Sequence, residues 1–254
     1  MRFTNAIVRL PGKSMPEGLS SSELGKPDHA LALRQHGKYV EALQKCGLDV
    51  RILPADENFP DSTFVEDTAL LASGLAVLTN PGAPSRQGET ADMHTVIQEY
   101  YEHVETIMPP GTLEAGDVMM AGKHFFIGLS ERTNTKGAEQ LIGILERHGL
   151  TGEILEISGM LHLKSGVSYL ENNHMLAVDN LKDHRAFKKY DVIRVPDEES
   201  YAANSLWIND RVLVPMGFPA TLENIRNAGY ETTELDMSEF KKLDGGLSCL
   251  SLRF

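Results

Sequence analysis

The segment "GDVMMAGKHFFIGLS" at residues 116–130 holds two apolar runs on either side of a Gly-Lys pair. Glycine reaches the positive φ of a tight turn without steric cost, so the segment predicts a β-hairpin. A helical pattern follows at 134–149, where Leu141, Ile142 and Leu145 share one face. With one further short strand the unit reads ββαβ.

That unit recurs along the chain. "DTALLASGLAVLTN" (67–80) turns at Ser-Gly, "GVSYLENNHMLAVDN" (166–180) at Asn-Asn, and "NSLWINDRVLVPMG" (204–217) at Asn-Asp. Helical patterns trail these hairpins: Met93, Val96, Ile97 and Tyr100 within 89–103, a weaker stretch at 183–190, and Leu222 with Ile225 within 221–229. Strands such as Val192–Val195 complete the units. A fifth copy is split across the termini. "TNAIVRL" begins the chain, "LSCLSLRF" ends it, and a helix at 28–46 with the strand "DVRILP" supplies the rest. The expected fold is therefore α/β, five ββαβ blades around a pseudo-fivefold axis, over one domain spanning 1–254. Pairing of the first and last strands would leave no open edge. An open α/β sheet is the alternative.

Composition narrows the function. The 254 residues are 41% apolar and carry a formal net charge of −12, which disfavours a nucleic-acid surface and suits a small cationic partner. Two cysteines cannot build a disulfide framework, so a reducing, cytoplasmic setting is expected. No signal peptide and no membrane-spanning run is evident. The sequence leaves a homodimer open.

Polar residues stand at the head of each hairpin: Glu66-Asp67, Glu114 with Asp117, His162, Asn204, and Asp244 ahead of Cys249. In a ring these heads converge on one end of the axis. Cys249 is read as a strand residue facing away from Leu250, Leu252 and Phe254, and His162 as a strand residue facing away from Leu161 and Leu163. Cys46 falls on the Tyr39/Val40/Leu43 side of its helix and reads as core. Taken singly, a core cysteine, a satisfied core histidine and carboxylates capping turns are the ordinary interpretations. Their recurrence at equivalent places favours a site for a planar cation such as a guanidinium.

Other chemistries lack their residues. "GKS" at 12–14 matches the end of a phosphate loop, but Ile7 stands where its first glycine belongs. There is no G-x-S-x-G elbow and no H-E-x-x-H helix. The nine histidines and two cysteines show no zinc-ligand spacing. Neither a metal nor a cofactor is expected.

"FVEDT", "LEAGDV", "LHLKSGVSY" and "LDGGLSCLSLRF", in this order, closely resemble the dimethylarginine dimethylaminohydrolase family of the guanidine-modifying superfamily. The resemblance spans essentially the whole chain. It implies an α/β propeller of five ββαβ units, the pentein fold, and hydrolysis of Nω-methylated arginine to citrulline without a cofactor. It casts Cys249 as nucleophile, His162 as general acid/base and Glu114 as the supporting carboxylate. Glu66 and Asp67 resemble the guanidinium-binding pair, and Arg86 and Arg132 the arginines that hold the substrate carboxylate. Asp61 and Leu19 would sit at the amino-acid end of the pocket, with Leu243, Asp244 and Ser248 lining it around the cysteine. The Gly/Pro/Ser-rich stretch "PGKSMPEGLSSSELGKPD" (11–28) reads as a mobile lid.

One departure bears on specificity. Arginine deiminases and amidinotransferases of the superfamily carry H-x-D where this chain has "HLK", with Lys164 in place of the aspartate. One carboxylate fewer avoids an unpaired acceptor beside a methylated nitrogen, which favours methylarginine. The competing readings are an arginine deiminase, a noncatalytic pentein binding protein and a thiol redox sensor at Cys249.

Overall fold

The computed structural model describes residues 2–254. The strands are β1 (Asn5–Arg9), β2 (Asp49–Leu53), β3 (Ala69–Ala72), β4 (Leu75–Leu78), β5 (Val104–Thr106), β6 (Val118–Ala121), β7 (His124–Leu129) and β8 (Thr151–Glu156). The series continues with β9 (Val167–Tyr169), β10 (His174–Val178), β11 (Asp191–Val195), β12 (Leu206–Ile208), β13 (Arg211–Pro215), β14 (Glu231–Leu235) and β15 (Leu252–Arg253). They form five three-stranded sheets, ordered β15-β1-β2, β3-β4-β5, β6-β7-β8, β9-β10-β11 and β12-β13-β14. Each has one antiparallel and one parallel pair. Parallel neighbours need a crossover, and a helix supplies it in each blade.

The turns form where the residue types allow positive φ. Gly74 and Gly122 lie at φ 72° and 65°, Asn172 and Asn173 at 49° and 68°, and Asn209 and Asp210 at 45° and 76°. The split blade closes as expected, with Ala6 and Ile7 of β1 paired to Arg253 and Leu252 of β15. The expectation of no open edge is corrected: the five sheets are separate, and β2, β5, β8, β11 and β14 each pair on one side only.

The crossover helices are α1 (His29–Lys45), α2 (Glu89–Ile97), α3 (Thr135–Arg147), α4 (Asp179–Lys182) and α5 (Pro219–Asn227). The Asp28 side chain caps α1 by accepting the Leu31 N–H at 2.7 Å. Its buried face carries Ala32, His36, Tyr39, Val40 and Leu43, at helical spacing. The helix expected over 89–103 stops at Ile97; Tyr100 lies beyond it, exposed, with its ring edge-on to Phe254. Helical content at 183–190 reduces to a short 3-10 turn at Arg185–Phe187, after the single turn of α4.

Apolar clusters fill the spaces within and between blades, leaving the inner strands β15, β3, β6, β9 and β12 around the axis. A 3-10 turn precedes each inner strand, at Val65–Thr68, Ala115–Asp117, Leu163–Ser165, Asp197–Ala203 and Ser248–Leu250. Neighbouring turns touch one another: 65–68 with 248–250 and 115–117, and 163–165 with 115–117 and 197–203. Five separate stretches of chain are thereby brought to one end of the molecule.

Candidate active site

The functional side chains sit on these turns rather than on strands. Cys249 belongs to the turn Ser248–Leu250, and strand geometry begins only at Leu252. His162 is the N-cap of the turn Leu163–Ser165 and lies before any strand. The expected strand phase for both is thus corrected. For Cys249 the competing force is tertiary: two glycines allow close packing, and polar contacts from residues remote in sequence fix the turn. A Cβ on Gly245 would fall 2.1 Å from the Phe64 ring, and one on Gly246 would fall 2.5 Å from the Asn204 amide. Asn204 accepts the Ser248 N–H at 2.9 Å, and the Ser248 hydroxyl donates to Glu66 at 2.7 Å. From α1, the Tyr39 hydroxyl donates to the Leu247 carbonyl at 2.9 Å.

Glu114 and His162 form a direct link across two blades. His162 Nε2 lies 2.8 Å from Glu114 Oε2, and Glu114 Oε1 accepts the Ala83 N–H at 3.1 Å. Both side chains are buried. Burial alone would discharge the imidazole, but Asp67, Glu114 and Asp117 outweigh it and push His162 up to about 9. Burial likewise opposes ionisation of Glu114, and the bond to His162 overcomes it and holds the carboxyl low. The pair is therefore an imidazolium and a carboxylate at neutral pH. A Cβ on Gly116 would fall 2.6 Å from His162 Nδ1, so glycine is required for the ring to lie where it does.

Cys249 is half-buried, and its sulfur accepts the Gly246 N–H at 3.4 Å. Burial, then Glu66 and Asp67, push the thiol up to about 12, with Gly246 N–H and Lys164 opposing. In the unliganded protein the sulfur is a thiol.

The acidic pair does not stand free. Glu66 Oε1 meets Lys164 Nζ at 2.7 Å and Arg253 Nη2 at 3.0 Å, while Oε2 takes the Ser248 hydroxyl. Asp67 Oδ2 meets Arg86 Nη1 at 2.6 Å, and Oδ1 accepts the Gly116 N–H at 2.9 Å. Arg86 also bonds Glu89 at 2.8 Å and the Phe64 carbonyl at 2.9 Å. It is buried and occupied by its own protein, unlike the arginine expected to await a substrate carboxylate. Ligand-type atoms of Asp67, Glu114 and His162 lie within 4.8 Å of one another. Arg86 and the His162 ring already balance those carboxylates.

A cavity is walled by Leu19, Asp61, Asp67, Arg86, Glu114, Arg132, His162, Leu243, Asp244 and Cys249, together with Phe64, Leu161 and Gly245. An adjoining one shares His162, Asp244 and Cys249 and adds Glu66, Lys164, Ser248 and Asn204. Every residue expected at the site therefore lines one of two cavities that meet at Cys249 and His162. Arg132 is half-buried, and its guanidinium makes no hydrogen bond or ion pair among the described residues. The stretch expected as a lid is docked across the rim. Leu19 N–H donates to Asp61 at 3.0 Å, Ser21 N–H to Asp244 at 2.6 Å, and the Ser20 hydroxyl to the Lys242 carbonyl at 2.7 Å.

Arg253, Phe64 and Leu161 were not legible as site residues. Arg253 donates to the carbonyls of Ser248 and Ser251 as well as to Glu66. Nothing in "SLRF" distinguishes it from a surface arginine.

A family model described as N,N dimethylarginine dimethylhydrolase, eukaryotic, matches residues 22–216. The chain is 51% identical over 253 residues to N(G),N(G)-dimethylarginine dimethylaminohydrolase of Pseudomonas aeruginosa, covering 99% of this chain and 100% of the relative. A solved structure of DDAH from that organism, a cysteine-to-serine mutant complexed with citrulline, matches with a TM-score of 0.99 at 50% identity and full coverage of both chains. Another, a histidine-to-glycine dimethylarginine dimethylaminohydrolase in adduct with S-methyl-L-thiocitrulline, matches with a TM-score of 0.98 at 51% identity, covering 99% of this chain and 100% of that one. With the five-bladed fold and the clustered turns, these matches place the chain in the dimethylarginine dimethylaminohydrolase family.

Proposed function

We propose that this protein hydrolyses Nω-methylated arginine to citrulline, releasing methylamine or dimethylamine, with Cys249 as nucleophile. The observation that carries the reading is the meeting of Cys249, the Glu114–His162 pair and Asp67 around one cavity. Asp67 and Glu66 orient the guanidinium, and Arg132 at the rim pairs with the substrate carboxylate. Arg86 acts from behind, fixing Asp67.

The reaction proceeds in two halves. The Cys249 thiolate attacks the central guanidinium carbon, and His162 delivers a proton to the methylated nitrogen as its C–N bond breaks. That leaves an S-alkylthiouronium on Cys249 and a neutral imidazole. Neutral His162 then takes a proton from water, whose oxygen attacks the same carbon. The C–S bond breaks and citrulline leaves. The thiol is too weakly acidic among carboxylates to ionise unaided, so the substrate cation itself stabilises the thiolate, and the thiol proton passes to solvent, where the released amine takes one up. Lys164 occupies Glu66, which leaves room for methyl groups without a second unpaired acceptor.

No helix among the described residues is long and apolar enough to cross a membrane. The two free cysteines suit a cytoplasmic, reducing setting. Incubation with asymmetric dimethylarginine should yield citrulline, with arginine itself a poor substrate; preference for arginine would make the protein a deiminase. Cys249→Ser should lose at least about 10³-fold in kcat, as expected when a nucleophile is removed.

A further inference from the structure

Asp117 has no solvent exposure, and no cationic side chain forms an ion pair with it among the described residues. Its bonded neighbours are neutral donors. Oδ1 accepts the Leu163 N–H at 2.9 Å, and Oδ2 accepts the Ser130 hydroxyl at 2.6 Å. Burial raises the Asp117 carboxyl above the usual range, and the His162 charge with the Ser130 and Thr133 hydroxyls opposes that rise. A buried carboxylate bonded directly only to neutral donors is costly, and the charge of the nearby His162 ring offsets part of that cost. Leu163 directly follows His162, so the Leu163 bond fixes the peptide that carries the imidazole. Asp117 also shares its turn with Glu114, which grips the ring itself. One turn thus holds His162 twice, by ring and by backbone.

We propose that Asp117 is a positioning residue for His162, clamping the backbone beside the imidazole while Glu114 holds the ring. Its charge adds to the field that keeps the ring protonated. The charged and titratable groups around that ring are Asp67, Glu114 and Asp117, with Lys164 two residues on and Cys249 and Asp244 across the cavities. Three carboxylates favour the imidazolium; deleting one should release its proton at lower pH.

The inference rests on His162 as the proton carrier of the proposed reaction. Loss of methylarginine turnover in His162→Gly tests that assignment separately; persistent turnover there would remove the basis for both. The test of Asp117 is the pH dependence of kcat in Asp117→Asn, which is isosteric and uncharged. We expect kcat to fall at least about tenfold, KM to change less than about threefold, and the alkaline limb to move to lower pH. A folded Asp117→Asn with kcat within twofold of the parent and an unmoved limb would overturn the proposal. If that variant does not fold, Ser130→Ala removes one donor from the same carboxylate. An alkaline limb shifted downward in Ser130→Ala supports the clamp, and an unmoved one contradicts it.

Discussion

Arg51 and Glu99 meet on the outer surface through two contacts at 3.2 Å, each side chain about half exposed. Arg86 meets Asp67 at 2.6 Å and Glu89 at 2.8 Å with almost no exposure. The first pair stays hydrated and trades little for its contact. In the second, three ions have left water, and burial pushes Glu89 up to about 7 even with Arg86 beside it. Such an arrangement makes sense only where charge must be fixed in place, and here it fixes Asp67 on the cavity wall.

The contrast can be tested most severely by removing a buried partner. Arg86→Met should destabilise the protein by about 3–5 kcal/mol, because two carboxylates are left uncompensated. Denaturant unfolding measures it, and a loss below about 1 kcal/mol would show that these charges are not locked together. A smaller effect is expected from Gly116→Ala. Its Cβ would press on His162 Nδ1 and on Asp67 Oδ1, 2.8 Å away, so overpacking should cost about 1–3 kcal/mol. Turnover should fall more than binding, and equal losses in kcat and affinity would argue against displacement of the ring.

The same inner charges predict a pH signature. His162 is raised from its ordinary 6.5 to about 9, so its protonation contributes stability that is full below 6.5 and is lost as pH rises through about 9. Unfolding curves across that range should show the slope in the parent and lose it in His162→Gly. At the small end, Arg51→Ala should change stability by less than about 1 kcal/mol. A larger loss would erase the distinction between outer and inner pairs.

The blades were legible because each is locally encoded. Asn172-Asn173 and Asn209-Asp210 mark turns by residue type, and the apolar runs on either side set the pairing. The convergence of Glu66, Asp67, Glu114, His162 and Cys249 was legible from their shared place in the repeat. Their backbone was not. "LSCLSLRF" alternates like a strand, yet its first residues wind into a turn because Asn204, Glu66 and Tyr39, all remote in sequence, bind around it. The position of Arg86 was hidden for a similar reason. Its burial follows from Asp67 on a different turn and from the Phe64 carbonyl, contacts that no local pattern announces.

The reaction turns on a covalent bond between Cys249 and the guanidinium carbon, with His162 as the proton carrier. Rapid acid quench of the enzyme with asymmetric dimethylarginine, followed by mass spectrometry of the Cys249 peptide, tests it directly. An alkylthiouronium adduct on Cys249 should appear in the parent and form more slowly in His162→Gly, which lacks the proton donor for the departing amine. Citrulline formation at the parental rate in Cys249→Ser, with no adduct in any variant, would contradict it.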